Sequence, residues 1–324
     1  MTALNDGDVE TIELSVVATM YHSTAFVAEF YERVRKVLEL LAVSYEIVFV
    51  NDGSPDDSLA KATALIGSDP HVRVVDLSRN FGHHRALMVG LEHSRGERIF
   101  LIDIDLEEDP RAIPEFYAEM HRTDADVVYG VQRVRQGGVI KSVGGAWFWK
   151  FFNLISDLDI NPKIVTSRLM TRRYVDSLLR FRDRELFFDG IFVLAGFEQV
   201  PLIVDKIARK DTTYTFRKRF SLLVNAVTSF SSRPLIFVFY LGLFISFFAG
   251  VAGICLVVVG LVSDGYLTGW PSLAVSIWFI GGIIIFCIGL IGIYLGKIFQ
   301  EVKDRPLSIV RKIYEYSADS HVNS

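Results

Sequence analysis

Cysteine is scarce in this chain: Cys255 and Cys287 are the only two in 324 residues, and both lie in apolar stretches. That excludes a disulfide-stapled scaffold and fits a reducing compartment. Basic charge is not in excess either. The formal net charge is −4, which argues against a nucleic-acid binder. Residues 1–13 carry Asp6, Asp8, Glu10 and Glu13, with neither a basic start nor an apolar core, so no secretory signal is expected. Internal repeats and low-complexity linkers are also missing.

Over two long runs, charge of any sign is missing. Pro234–Ser263 and Gly265–Gly296 contain no charged residue, and only Asp264 separates them. Each run exceeds the roughly 20 residues that span a bilayer. Tyr266 and Trp270, in the turn between, suit a membrane interface. Arg233 precedes the first run; Lys297, Lys303, Arg305, Arg311 and Lys312 follow the second. The positive-inside rule then places both flanks in the cytoplasm. The expectation is two transmembrane helices within 234–298, about 235–262 and 271–296. The protein is expected to be multi-pass in the inner (plasma) membrane, with the N-terminal domain and both termini cytoplasmic. Residues 299–324 read as a cytoplasmic tail. Residues 211–233 mix Arg217, Lys218 and Arg219 with Phe216, Phe220 and Leu223, and read as a basic amphipathic segment on the lipid bilayer.

Residues 1–210 carry a different pattern. Apolar runs at 12–18, 45–50, 72–77, 99–102 and 126–130 alternate with helical periodicity, and Val200–Val204 is a late strand. This alternation predicts an α/β domain with a doubly wound, mostly parallel sheet. Residues 139 to about 200 read as largely helical.

Each strand run ends in a polar cluster. Thr19 and Tyr21 follow the first, Asp52, Gly53 and Ser54 the second, Arg79, Asn80 and Gly82 the third, and Asp103 and Asp105 the fourth. Strand ends of an open parallel sheet converge on one ligand crevice. Two carboxylates two residues apart on an extended chain point the same way and repel unless a cation lies between them. Mg²⁺ or Mn²⁺ carrying a diphosphate meets that need. Tyr21 could stack on a base, Asp52 accept from a base imide, and Arg79 pair with a phosphate.

These stretches carry a resemblance. EIVFVNDGSPDDS is similar to the VDDGSxD strand, LSRNFGHHRALMVGL to the LSRNFGkxxAlxaGl segment, and LIDIDLEEDP to the DxD stretch of inverting family 2 glycosyltransferases with the GT-A fold. With its two C-terminal spans, the chain most resembles the membrane-anchored polyprenyl-phosphate sugar transferases, relatives of dolichol-phosphate mannose synthase. The resemblance covers nearly the whole chain. It implies a nucleotide-diphosphate sugar donor bound by Thr19, Tyr21, Asp52, Ser54, Arg79, Asn80, Gly82 and Asp103. It implies Mg²⁺ or Mn²⁺ on Asp103 and Asp105, and a polyprenyl phosphate acceptor met by Arg168, Lys210, Arg217 and Lys218. Asp103, Asp105 and Arg168 would be catalytic; a homo-oligomer is left open.

Departures accompany the likeness. IPVYNEE of the family reads ATMYHST here, with Thr19 for Pro, His22 for Asn, and Ser23 and Thr24 for two acids. The family's DFRLM reads Thr166-Ser167-Arg168-Leu169-Met170, so its catalytic Asp is Thr166; Asp157, Asp159 and Asp189 are nearby acids. A sugar hydroxyl needs a general base to attack, whereas a lipid phosphate already carries negative oxygens. Thr166 therefore favours a phosphate acceptor over the hydroxyl of a lipid-linked glycan. A non-catalytic membrane scaffold is the remaining alternative.

Overall fold

The computed structural model describes residues 11–133, 163–183, 188–205, 233–262 and 269–316. Four parallel strands lie together: β1 (Leu14–Met20), β2 (Tyr45–Asn51), β3 (Val72–Leu77) and β4 (Arg98–Leu101). All seven residues of β1 are buried. Such continuous burial belongs to a strand covered on both faces. Helix α1 (Val27–Leu41) buries Val27, Phe30, Val34 and Leu38, spaced three or four apart, in the core that also holds Val16 and Ala18. On the other face, α3 (His83–His93) brings Gly90 against Val17 of β1 and Val50 of β2. Helices α2 (Ser58–Ile66) and α4 (Ile113–Thr123) complete the covering layers, α4 after a 3₁₀ turn at Pro110–Ala112.

The full sheet has eight strands in the order β7-β5-β6-β4-β1-β2-β3-β8, with β5 at Val127–Gln132, β6 at Ile164–Thr171, β7 at Gln199–Val204 and β8 at Val310–Tyr314. It is mixed: β1 to β5 and β7 run the same way, while β6 runs antiparallel to both β4 and β5, and β8 antiparallel to β3. Strand β6 corrects the helical reading of 139 to about 200. Its polar Thr166, Ser167 and Arg168 interrupt the apolar run that marks an interior strand. Two short helices flank the β6–β7 connection, α5 (Arg172–Leu178) and α6 (Phe188–Leu194).

Strand order reverses direction at β1, with β2 on one side and β4 on the other. That is the topological switch point where open α/β sheets take ligands, and the carboxyl ends of β1 and β4 meet there.

The chain forms two compact units. One is the sheet with its helices; it takes in the chain from Arg305 onward, so part of the expected tail is the edge strand β8. The other holds the long helices α7 (Arg233–Val262) and α8 (Trp270–Val302), over the two charge-poor runs. Within α8, Phe279–Val302 is long and apolar enough to cross a membrane. Large apolar side chains stand bare on both helices, among them Phe237 at 65% and Ile285 at 74% exposure. The interfacial segment expected at 211–233 lies outside the described residues but for Arg233.

A Cβ at Gly90 would meet Val17 Cγ1 and lie 3.0 Å from Val50 Cγ2. Gly90→Ala is expected to lose about 1–3 kcal/mol to overpacking, read as a lower thermal midpoint of the purified protein.

Candidate active site

The strand ends build a crevice of about 430 Å³ lined by Thr19, Tyr21, Asp52, Asn80, Gly82, His83, Asp103 and Asp105, with Met20, Ser23 and Ile104. Seven of the sequence-predicted donor and metal residues therefore share one concavity. Ile104 is buried between the two acids, so the turn after β4 anchors itself with one apolar side chain. Leu106 then adopts φ +60°, and Asp105 Oδ1 accepts from Glu107 N at 3.0 Å. The left-handed residue and this hydrogen bond shape the diacid turn.

Asp52 clamps two loops together. Its carboxylate is 2% exposed and accepts from Phe81 N at 2.7 Å and Gly82 N at 3.0 Å. Burial pushes its carboxyl up, and the two amides, His83 and Arg79 pull against that rise. The next residue has to be glycine. Gly53 sits at φ +60°, and a Cβ there would stand 2.5 Å from Asn80 N, against the Arg79–Asn80 peptide. Arg79 stands beside the crevice with its guanidinium 4.0 Å over the Phe81 ring. Ser54, not a lining residue, ties the first two loops by accepting from His22 N at 2.8 Å and donating to Asp56 at 2.5 Å. Asp56 accepts from Ser58 Oγ and Thr24 N as well. Burial would raise its carboxyl, but the Ser54, Ser58 and Thr24 donors hold it well below the usual carboxylate range. Here Ser23 and Thr24 replace family acids, beside a carboxylate that a further acid would repel.

Antiparallel register sets Leu101 of β4 opposite Arg168 of β6. Two residues further, Asp103 and Thr166 meet, and Thr166 Oγ1 donates to Asp103 Oδ2 at 2.7 Å. Glu108, 3% exposed, grips the same strand by accepting from Thr166 N at 3.2 Å and Ser167 N at 2.7 Å. His83 is a crevice residue that the sequence reading missed. Its signal was position: it opens α3 at the lysine place of the LSRNFGk segment. Its Nδ1 lies 3.1 Å from Thr19 Oγ1 and its Nε2 3.4 Å from Asp103 Oδ1. Desolvation pushes its pKa down against the pull of Asp52 and Asp105, although 47% of the side chain remains open.

Arg168 is not a lining residue. It is 4% exposed, donates to the carbonyls of Thr166 and Val165, and lies 3.5 Å over the Phe192 ring. An acceptor phosphate could reach it only by displacing these partners. Lys210, Arg217, Lys218, Asp157 and Asp159 lie outside the described residues, as does the Asp189 side chain.

A metal fits the donor set in one way. Among the described residues no three His, Cys, Asp or Glu side chains gather to hold an ion. Asp103 and Asp105 offer hard oxygens in a half-buried pair, the set expected for Mg²⁺ or Mn²⁺ when substrate phosphates complete the shell.

Comparison with known proteins agrees with this geometry. The profile described as Glycosyl transferase family 2 matches residues 15–179. A Mycobacterium tuberculosis protein named as a glycosyltransferase is 46% identical over 94% of this chain and 89% of its own. A glycosyltransferase of Bacillus subtilis is 34% identical over 94% of each chain. The prophage-derived bactoprenol glucosyl transferase of Shigella flexneri is 34% identical over 93% of this chain and 98% of its own.

Thr166→Val removes a hydrogen bond to a charged group, and turnover is expected to fall about tenfold. Thr166→Ser keeps the hydroxyl and should stay within about twofold; steady-state rates of both variants check this.

Proposed function

The chain belongs to glycosyltransferase family 2, and from that membership we propose that it transfers a sugar from a nucleotide-diphosphate sugar to a polyprenyl phosphate at a membrane face. The observation that carries the acceptor class is Thr166. A hydroxyl, not a carboxylate, donates to Asp103 at the place where the family keeps its acid. The nearby Glu108 carboxylate is engaged by two strand amides. An acceptor that brings its own negative oxygen suits such a site. The full-length likeness to a bactoprenol glucosyl transferase supports the same reading.

In this reading Tyr21, 48% exposed at the crevice mouth, offers a ring face to the base. Arg79 and Asn80, on the loop that ends at Gly82, receive the diphosphate. Asp103 and Asp105 would hold Mg²⁺ or Mn²⁺, which when bound supplies positive charge for the leaving diphosphate. Thr166 Oγ1 fixes the rotamer of Asp103. A phosphate oxygen of the acceptor forms the new bond to the anomeric carbon from the face opposite the leaving group. The bond to the donor diphosphate breaks, and the nucleoside diphosphate departs with the electron pair; configuration inverts. No proton need move, because the second pKa of a phosphate monoester is near 6.

The membrane reading rests on α7 and α8. Both are charge-poor over a span-length stretch and expose their apolar side chains. The sheet unit resumes at Arg305 after both helices, which favours an even number of crossings. In this reading the two helices form a hairpin in the inner membrane, with the sheet, the basic flanks and both termini cytoplasmic.

The test is a transfer assay on detergent-solubilised protein with labelled nucleotide sugars, undecaprenyl phosphate and Mn²⁺ or Mg²⁺. Label is expected in the organic phase from one donor, and Asp103→Ala or Asp105→Ala should lower it by about 10²–10³-fold. Label entering only a glycan acceptor, or full turnover in both variants, would sink the reading.

A further inference from the structure

We propose that Arg311, on the strand that follows the second long helix, is a positioning residue for the donor-binding loops; this rests on the donor crevice proposed above. Strand β8 pairs antiparallel with β3 along Val74, Val75, Asp76 and Leu77. Its path continues past the end of β3. Ser78 N donates to Ile309 O at 2.9 Å, and Arg311 Nη2 donates to Ser78 O at 2.6 Å. Both backbone groups of Ser78 are thus held from the C-terminal segment. The next residue is Arg79, the guanidinium proposed to meet the donor phosphates.

Arg311 has a second hold. Its Nη1 lies 3.3 Å from Asp76 Oδ2, and the Asp76 side chain is 1% exposed. The other oxygen of Asp76 accepts from Asn51 Nδ2 at 2.8 Å, and Asn51 Oδ1 accepts from Ser54 N at 3.2 Å. Asn51 immediately precedes Asp52 and Gly53. One guanidinium therefore terminates a chain of bonds reaching both loops, 51–54 and 78–82, that Gly53 and Asp52 press together. A strand that merely covered the sheet edge would need none of these side-chain bonds. A planar fork that serves a carboxylate and a carbonyl at once is a task for Arg rather than Lys.

The far end of β8 supplies an internal control. Glu315 pairs with Arg73 at 3.0 Å and Arg95 at 2.8 Å, at the opposite end of β3 from the crevice. Neither arginine touches the donor loops.

The experiment uses the full chain in detergent, with UDP and GDP as probes in Mn²⁺, followed by calorimetry. Arg311→Ala is expected to weaken the nucleotide bound by wild type about tenfold. It should raise KM for the matching nucleotide sugar equally, and leave kcat within about twofold. Arg311→Lys should fall between, since the ammonium can answer Asp76 but not Ser78 O as well; it also keeps the test open if the alanine variant folds poorly. Glu315→Gln should bind nucleotide as wild type does. Unchanged affinity in Arg311→Ala, or an equal loss in Glu315→Gln, overturns the role of Arg311 while leaving the crevice in place. Wild-type protein that binds neither nucleotide overturns the crevice reading and this inference with it.

Discussion

A carboxylate taken out of water must be answered by donors or cations, or its burial costs several kcal/mol. The carboxyl edge of this sheet gathers three buried acids, Asp52, Asp76 and Glu108, beside the half-buried Asp103 and Asp105. Each buried acid is answered by a different part of the chain. Asp52 takes the amides of Phe81 and Gly82, Glu108 those of Thr166 and Ser167, and Asp76 takes Asn51 and Arg311. Loops that would otherwise wander are thereby nailed to strand ends. The buried acids are tolerated because loop amides and side chains come to them.

Several departures from the family pattern sit in contact with one another. Thr19 meets His83, His83 approaches Asp103, and Asp103 takes the hydroxyl of Thr166. Three of these four residues differ from the family's usual Pro, Lys and Asp. Changes that look scattered along the sequence over nearly 150 residues thus form one local rearrangement around the first acid of the diacid pair. A lysine at 83 and an aspartate at 166 would place opposite charges on either side of Asp103. Here a histidine and a hydroxyl take their places on the two sides of Asp103.

The four parallel strands were legible because β1 to β4 are covered on both faces and so read as predominantly apolar runs ending in polar clusters. Thr19, Tyr21, Asp52, Asn80, Gly82, Asp103 and Asp105, on those ends, line one concavity. Strand β6 escaped because its middle carries Thr166, Ser167 and Arg168; the Thr166 hydroxyl goes to Asp103 and the amides of 166 and 167 go to Glu108, partners that only the fold supplies. Strand β8, VRKIY, escaped for the reason edge strands usually do: charged residues in alternate and adjacent places disguise its pairing. Arg168 was placed by motif alone, and no pattern in the sequence indicates that its guanidinium is stacked on Phe192 and bonded to carbonyls. His83 lay next to a glycine already singled out, yet an imidazole at a helix start gives no signal of its own.

Strand β8 also sets an order of events during synthesis. The ribosome makes residues 310–314 after both long helices. Until then the outer edge of β3 has no partner, Asp76 lacks its arginine, and the stretch at Ser78 is held from one side only. A nascent chain with its first seven strands made is therefore an unfinished sheet, carrying the bare edge that invites mispairing. Completion of this sheet edge is deferred until the apolar helices have been made. Five residues of β8 thus bear on a crevice whose earliest residue, Thr19, precedes them by nearly 300 positions.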